Sequence, residues 1–203
     1  MPLLGARRLV HAKSMLNRLL TTVLWGVLLL PFSMVSVRAE TCQGKLYTVP
    51  AGKHYSGLHV GVTTQARVDF TACFDASAAY DLGNENQYDA NKLYGLSDCS
   101  SLHHRNSARF GWRWSIEKKT VELMAYSYAG GVRAYDVIGD LEPGVNAKLS
   151  IRMEGNRYVF SYNGREVQQP RSCSDGGGVK YRLYPYFGGD EVAPHDVHVW
   201  IQK

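Results

Sequence analysis

The feature that most constrains this chain is a strict two-residue alternation from Ser107 to Ser115. Three aromatic residues and an alanine share one parity there, while Arg109, Gly111 and Arg113 share the other parity with the two serines. A period of two over this length predicts a β-strand with one face in a core and one face that carries cations. Four residues at about 3.3 Å each would place the two arginines about 13 Å apart, which suits successive acidic groups on an extended polymer.

Short alternating segments separated by turn signals recur through residues 40–203. Asn163-Gly164 is the strongest hairpin signal, because a tight two-residue hairpin turn favours this pair. No segment has a helical period, so we predict an all-β fold, an antiparallel β-sandwich of jelly-roll type. The predicted strands are Lys45–Val49, Gly57–Val62, Ala66–Phe74, Lys92–Leu96, Ser107–Ile116, Thr120–Tyr128, Val132–Ile138, Ala147–Met153, Tyr158–Tyr162, Arg165–Gln168, Tyr181–Phe187 and His195–Gln202.

The first 39 residues differ from the rest of the chain. They begin with several basic residues, continue as an almost wholly apolar run over 19–37, and end in Val37-Arg38-Ala39, which fits a small-x-small cleavage site. This pattern predicts a secretory signal peptide at residues 1–39, with Met15 as an alternative start, and a single exported domain at residues 40–203. We expect a periplasmic or extracellular protein. A retained membrane anchor is the alternative, but serines and a proline interrupt the apolar run.

Removal of the signal peptide would change the charge of the protein. The whole chain has 23 Lys and Arg residues, a net charge of +5, and 18 acidic residues. Five of those basic residues and no acidic residue lie in the signal peptide, so the remainder is balanced. A neutral domain gives no basis for nucleic-acid binding, and nothing after the signal predicts a membrane span.

All four cysteines lie after the predicted signal peptide. An even count in an exported protein predicts two disulfides, each contributing about 2–4 kcal/mol. Three pairings are possible, and we favour Cys42–Cys73 with Cys99–Cys173. A zinc site is not predicted, because no two cysteines have C-x-x-C spacing.

Three segments resemble a known family. Asn91-Lys92-Leu93-Tyr94-Gly95-Leu96, then Ala108–Trp114, then Ala125–Tyr128 are similar to the "KLPGL … R-x-x-W-R … Y-x-Y" pattern of certain secreted polysaccharide lyases. The tail from Leu183 to Ile201 also resembles the last strands of such proteins. The resemblance implies a concanavalin A-like lectin/glucanase fold and a carbohydrate partner. Asn91 and Tyr94 stand where the pattern has a glycine and a proline.

The cationic face of the Ser107–Ser115 strand and tyrosines on neighbouring strands suggest a binding surface for a polysaccharide or oligosaccharide. A tyrosine offers a flat apolar ring and a hydroxyl, which suits a sugar. The alternative is that these tyrosines only fill the core or cover a sheet. The candidate substrate-binding residues are Lys92, Arg109, Arg113, Arg182 and Tyr186, and the alternation places Arg182, Tyr184 and Tyr186 on one face.

A small polysaccharide lyase is the alternative function. A cation would neutralise a uronate carboxylate, and a tyrosine would act as base and acid if adjacent cations lowered its pKa. The candidate catalytic residues are Tyr126, Tyr128 and Tyr184, with His103 or His104 as partner. A third interpretation is a cell-envelope domain that contacts another protein through an exposed apolar patch.

Metal binding has two candidate locations. His103 and His104 are adjacent in a segment expected to be extended, so their side chains should point apart and share no ion. Asp190, Glu191 and Asp196 surround a glycine-rich turn, and their oxygen atoms suit a structural calcium ion. For this acidic turn we favour the alternative, a solvated loop without an ion.

Overall fold

The computed structural model describes residues 41–174 and 178–203, and the predicted signal peptide at residues 1–39 lies outside the described residues. In the described part, twelve strands form two six-stranded sheets, which confirms the predicted antiparallel β-sandwich of jelly-roll type. The strands are β1 (Lys45–Val49), β2 (Val62–Thr63), β3 (Arg67–Phe74), β4 (Asn91–Ser97), β5 (Ser107–Ser115), β6 (Thr120–Ala129), β7 (Val132–Leu141), β8 (Ala147–Glu154), β9 (Arg157–Tyr162), β10 (Arg165–Pro170), β11 (Lys180–Leu183) and β12 (Val197–Gln202).

The first sheet has the strand order β1-β12-β3-β8-β9-β10, and the second has the order β2-β11-β4-β5-β6-β7. The last two strands of the chain are therefore interior strands of the two sheets. β12 lies between β1 and β3 in the first sheet, and β11 lies between β2 and β4 in the second. Helical structure in the described residues is confined to short turns at Ala76–Ala78 and Glu85–Tyr88. No helix there is long and apolar enough to cross a membrane.

The apolar parity of β5 lies in the core, as its alternation predicts. Phe110 and Trp112 are almost fully buried. The Phe110 ring centroid lies 5.9 Å from that of Phe70 on β3 and 5.5 Å from that of Phe160 on β9, both in the first sheet. Each aromatic side chain buried here contributes about 1.5–3 kcal/mol. The opposite parity of β5 must then point away from the core, and this places Arg109 on the outer face of the second sheet.

The Asn163-Gly164 hairpin is confirmed. Both residues have positive φ, 49° and 77°, and Tyr162 pairs with Arg165 across the turn. A two-residue turn with both central residues in this region matches the twist of the flanking strands. This turn fixes the register of β9 against β10.

Two predicted strands are shorter than the sequence pattern suggests. Of the predicted strand Gly57–Val62, only Val62 belongs to a strand, the two-residue β2 that pairs with β11. The predicted strand Tyr181–Phe187 ends at Leu183. Pro185 follows two residues later, and a proline has no backbone N–H to donate to a sheet.

Both favoured disulfides are confirmed: Cys42 pairs with Cys73, and Cys99 pairs with Cys173. The first joins the segment before β1 to β3, and the second joins the loop after β4 to the segment after β10. Asp98, beside the second bridge, is fully buried and accepts from the Nε of Arg171 at 2.6 Å. The disulfide and this ion pair together hold the loop at the end of β4.

Candidate functional site

A row of side chains crosses the outer face of the second sheet at Arg109. The register places Gly95 of β4 opposite Arg109 of β5, Arg109 opposite Tyr126 of β6, and Tyr126 opposite Tyr135 of β7. The neighbouring row contains Tyr128 opposite Arg133. Sequence reasoning did not name Tyr135 or Arg133, because only the pairing of β6 with β7 brings them to this face.

Arg109 lies at the floor of this face as a buried cation. Its residue is only 6% exposed, and its guanidinium carbon lies 5.2 Å from the centroid of the Tyr126 ring. Among the described residues, its Nε has no hydrogen-bond partner and no carboxylate oxygen lies within 4.0 Å of the side chain. Burial lowers the pKa of Arg109, but a guanidinium remains charged at neutral pH. A desolvated cation without a carboxylate attracts an anionic ligand.

Tyr126 does not have the lowered pKa that a catalytic tyrosine base requires. Burial, reinforced by the hydroxyl of Tyr128, raises the pKa of Tyr126 to about 12, and the nearby charge of Arg109 does not reverse this. The Tyr126 ring is parallel to that of Tyr135 within 18°, with centroids 6.4 Å apart. In the free protein, Tyr126 is therefore a neutral hydroxyl and a support for Arg109.

Lys92 lies on the same face beside Tyr126. Its Nζ donates to the carbonyl oxygen of Gly188 at 2.6 Å and lies 5.8 Å and 5.5 Å from the ring centroids of Tyr126 and Tyr186. Burial and the nearby charge of Arg109 lower the pKa of Lys92 to about 8. Tyr186 in turn stacks on His54, with ring centroids 5.2 Å apart. The structure thus brings Lys92 and Tyr186 to the Arg109 face.

The two adjacent histidines lie at one end of this face, near Tyr128. The prediction that their side chains point apart is wrong, because the segment forms a turn and the ring centroids of His103 and His104 are 4.2 Å apart. His103 Nδ1 lies 2.9 Å from the hydroxyl of Tyr181, a residue that sequence reasoning missed. Burial, then the charge of Arg109, lowers the pKa of His103 to about 4. His103 is therefore neutral at neutral pH, and the His104 ring packs 5.6 Å from that of Tyr128.

Arg113 lies on the same outer face of β5 as Arg109, but its guanidinium is hydrogen-bonded to other protein groups. Its Nε donates to Glu122 Oε2 at 2.7 Å, and its Nη1 donates to the carbonyl oxygen of Tyr88 at 3.1 Å. Glu122 also accepts from Lys118 at 2.8 Å. The two arginines of the strand therefore differ, since Arg113 has a carboxylate partner and Arg109 has none in the described part.

Arg182 and Tyr184 do not lie on the Arg109 face, which corrects the prediction that they share a face with Tyr186. Arg182 pairs with Leu96, a core residue, and its Nη1 donates to the hydroxyl of Tyr94 at 2.9 Å. The Tyr184 ring lies 5.6 Å from that of Tyr94. The strand ends at Leu183, so its alternation does not continue to Tyr186.

The structure does not gather Asp190, Glu191 and Asp196 into one site. Asp196 Oδ1 accepts from the backbone N–H of Ala51 at 2.9 Å, and Glu191 Oε1 accepts from Asn86 at 3.0 Å. Within residues 41–174 and 178–203, a single group of three potential ligands lies within 4.8 Å, and it consists of Asp98, Cys99 and Cys173. Both of those cysteines belong to a disulfide, so that group offers no thiolate to a metal.

Two clefts lie elsewhere on the protein. One of about 860 Å³ runs along the first sheet between Asp69 and Gly164, and one of about 670 Å³ is lined by residues that include Arg67, Arg182 and Lys203. The Arg109 face is the stronger candidate, because a buried cation without a carboxylate partner indicates a ligand more specifically than the volume of a cleft does.

No protein-family model matches this chain, and no curated protein matches its sequence. Solved structures that overlap with it include the alginate lyase AlyC3, at 10% identity and a TM-score of 0.49, with 78% of this chain and 72% of that chain covered. The carbohydrate-binding module CBM66 from Bacillus subtilis overlaps at 13% identity and a TM-score of 0.30, with coverages of 70% and 78%. A toad ovary galectin in complex with thio-digalactose overlaps at 6% identity and a TM-score of 0.38, with coverages of 79% and 100%. At these TM-scores, the overlaps identify neither a ligand nor a reaction for this chain.

Proposed function

We propose that this protein binds an acidic polysaccharide across the outer face of its second sheet, with one acidic group of the polymer against Arg109. The observation that carries the proposal is the state of Arg109, which is 6% exposed, stacked on Tyr126, and without a carboxylate within 4.0 Å in the described residues. An oxyanion that reaches this guanidinium gains charge-assisted hydrogen bonds and compensates a buried charge.

The surroundings of Arg109 favour a polymer over a small anion. Lys92, Arg109 and Arg133 lie on three strands of one sheet, so cations are repeated across the face. Tyr135 is 47% exposed beside them and offers a flat ring to a sugar. A polysaccharide that runs across the strands would contact cations and aromatic rings alternately. This arrangement fits a polymer with an acidic group on its sugar units.

The test is retarded migration of the protein in gels that contain alginate, polygalacturonate or hyaluronate, with neutral dextran as the reference polymer. Arg109→Gln should abolish most of the retardation by the acidic polymer. Arg113→Gln is the matched control, because Arg113 lies on the same strand face but is bound to Glu122. Equal retardation of the wild type and the Arg109→Gln variant would refute the proposal.

A lyase that uses the same face is a second candidate, favoured by the neutral His103 close to the charge of Arg109. With a uronate carboxylate neutralised by Arg109, a base would remove the proton on the adjacent ring carbon. The electron pair would form a carbon–carbon double bond as the glycosidic C–O bond breaks, and the leaving oxygen would take a proton from an acid. His103 or Tyr128 would serve as base. Tyr126, which its raised pKa keeps protonated, would be the proton donor to the leaving oxygen.

Ultraviolet absorbance of an unsaturated uronate separates the two candidates. A lyase would generate this absorbance from one of the acidic polymers, and His103→Gln or Tyr128→Phe would abolish it while gel retardation persists. Binding without any absorbance change would leave the protein as a binding module. Because both candidates use Arg109, the Arg109→Gln variant should lose activity and binding together.

We also propose that the protein is exported. Two disulfides in the described part are typical of an oxidising compartment. N-terminal sequencing of the protein isolated from its native cell should begin at Glu40. A sequence that begins at Met1 or Met15 would show that the predicted signal peptide is retained.

A further inference from the structure

Arg182 and Tyr184, which the Arg109 face does not use, belong to a second cluster of cations and tyrosines. It lies on the core side of the second sheet, since Arg182 pairs with the core residue Leu96, whereas Arg109 lies on the outer side. We call it the end cluster, and its members are Lys45, Tyr47, Tyr94, Arg182, Tyr184 and Lys203.

The cations of the end cluster are held by rings and a hydroxyl. Lys203 Nζ lies 4.9 Å from the centroid of the Tyr94 ring and 5.0 Å from that of Tyr184. Lys45 Nζ lies 5.3 Å from the centroid of the Tyr47 ring. In the part of the chain that the structure describes, none of the ion pairs involves Lys45, Arg182 or Lys203. A cation over a ring keeps its N–H donors for another partner.

The tyrosines of the cluster do not neutralise these charges. Burial raises the pKa of Tyr94, and burial followed by the neighbouring Tyr184 raises the pKa of Tyr47, so both stay protonated at neutral pH. Arg182 and Lys203 both contact Tyr94, one at its hydroxyl and one over its ring. Two cations on one neutral side chain repel each other, and an anion between them would relieve the repulsion.

The 670 Å³ cleft gives an anion access to these two cations. Four cationic side chains line it, and two of them are neutralised: Arg67 pairs with Asp69 at 2.7 Å, and Arg152 pairs with Glu154 at 2.8 Å. Arg182 and Lys203 are the other two, and no carboxylate within 4.0 Å compensates them in the described residues. The cleft therefore has an excess of positive charge at its Arg182 side.

We propose that the end cluster is a second anion-binding site, in which Arg182 and Lys203 hold one sulfate or carboxylate group of a polyanion and the half-buried Tyr184 ring contacts its sugar. The site is independent of the Arg109 face, because the two lie on opposite sides of the second sheet. A polyanion bound at both sites would be held more tightly than at either alone.

Titration with sodium sulfate, followed by the NMR signals of the Arg182 guanidinium and the Tyr184 ring, tests the site directly. We expect saturable shifts with sulfate and none with sodium chloride at equal ionic strength. The Lys203→Gln variant should lose the shifts, and Lys203→Arg, which keeps the charge, should retain them. Shifts of equal size with both salts, or unchanged shifts in Lys203→Gln, would overturn the proposal.

Polymer binding by variants that carry Arg109→Gln, and so lack the proposed outer site, shows whether the end cluster takes a sulfate or a carboxylate. Adding Arg182→Gln and Lys203→Gln to the Arg109→Gln protein should weaken the remaining binding of the acidic polymer about tenfold, because a charged hydrogen bond is worth about 1.5 kcal/mol or more. A loss confined to sulfated dextran would identify a sulfate, and a loss confined to polygalacturonate would identify a carboxylate. No loss with either polymer would overturn the second site, and this outcome is separate from the effect of Arg109→Gln alone.

Discussion

The guanidinium carbon of Arg109 lies 5.2 Å from the centroid of the Tyr126 ring, directly opposite it on the neighbouring strand. The ring holds the cation from below, since its face carries partial negative charge. Tyr126 is 2% exposed and Arg109 is 6% exposed, so the pair is largely desolvated. We therefore expect the position of the charge on the sheet to depend on the ring more than on the hydroxyl.

Substitution of Tyr126 tests this dependence. Tyr126→Phe keeps the ring, so we expect affinity for an acidic polysaccharide within about threefold of the wild type. Tyr126→Leu removes the ring, and loss of a desolvated cation–π contact of about 2 kcal/mol should weaken binding at least tenfold. Affinity gels measure both, with circular dichroism to confirm folding. Equal weakening in the two variants would assign the role to the hydroxyl.

Lys92 should make the binding of an acidic polysaccharide depend on pH near pH 8. Its pKa of about 8 means that the ammonium is present at pH 7 and lost as the pH rises through 8, well below the ordinary value of 10.5. Since an acidic ligand is attracted to the charged form, affinity should fall between pH 7 and pH 9. Affinity gels at the two pH values measure the change. Lys92→Gln should bind more weakly at pH 7 and show little further loss, and a flat wild-type profile would contradict the role of Lys92.

His103 should link stability to mildly acidic pH. Its pKa is about 4 in the folded protein and 6.5 in its ordinary state. Between these values the unfolded chain binds a proton that the folded protein does not. The contribution of neutral His103 is therefore complete above pH 6.5 and is lost as the pH falls towards 4. Urea unfolding at pH 7 and pH 5 should show a smaller difference in the free energy of unfolding for His103→Gln than for the wild type.

Gly95 should be necessary for the position of Arg109. A Cβ at Gly95 would overlap with the carbonyl oxygen of Ala108 and with the Cα of Arg109 on the adjacent strand. Gly95→Ala should therefore push β4 away from β5, reduce the free energy of unfolding by about 1–3 kcal/mol and weaken polysaccharide binding. Gly111→Ala is the matched control, because its Cβ would meet the nearest atom, the carbonyl oxygen of Asn91, at 3.2 Å. A Gly95→Ala protein with wild-type stability and binding would show that the strands adapt without cost.

Asp98 should carry a large share of stability at the end of β4. Its carboxylate is fully buried and accepts from Arg171 Nε at 2.6 Å and from the Tyr158 hydroxyl at 3.1 Å. Removing one partner of a buried ion pair leaves a buried charge, so Asp98→Ala should cost about 3–5 kcal/mol. Asp69→Ala breaks the exposed pair with Arg67 and should cost less than about 1 kcal/mol. Urea unfolding of the oxidised proteins would compare them, and similar costs would refute the assignment.

Local patterns in the sequence determined the fold class and the identity of the central strand. The alternation along Ser107–Ser115 is a property of one segment, and a strand in a two-sided sheet must place such residues on opposite faces. Asn163-Gly164 fixed its hairpin for a similarly local reason, since it favours the positive φ values of the turn. The favoured disulfide pairing also proved correct, although four cysteines alone allow three pairings.

The tertiary structure decided which of the predicted residues belong together. Arg109 and Arg113 are equivalent in the strand pattern, but the pairing of β5 with β6 places Tyr126 opposite one and Glu122 opposite the other. Arg113 therefore gains a carboxylate partner, whereas Arg109 gains an aromatic ring without a carboxylate. Tyr186 lies on a different face from Arg182 and Tyr184 because β11 ends at Leu183, beyond which the alternation no longer applies. The lowered pKa of Lys92 and the raised pKa of Tyr126 likewise follow from burial, which depends on the packing of strands distant in sequence.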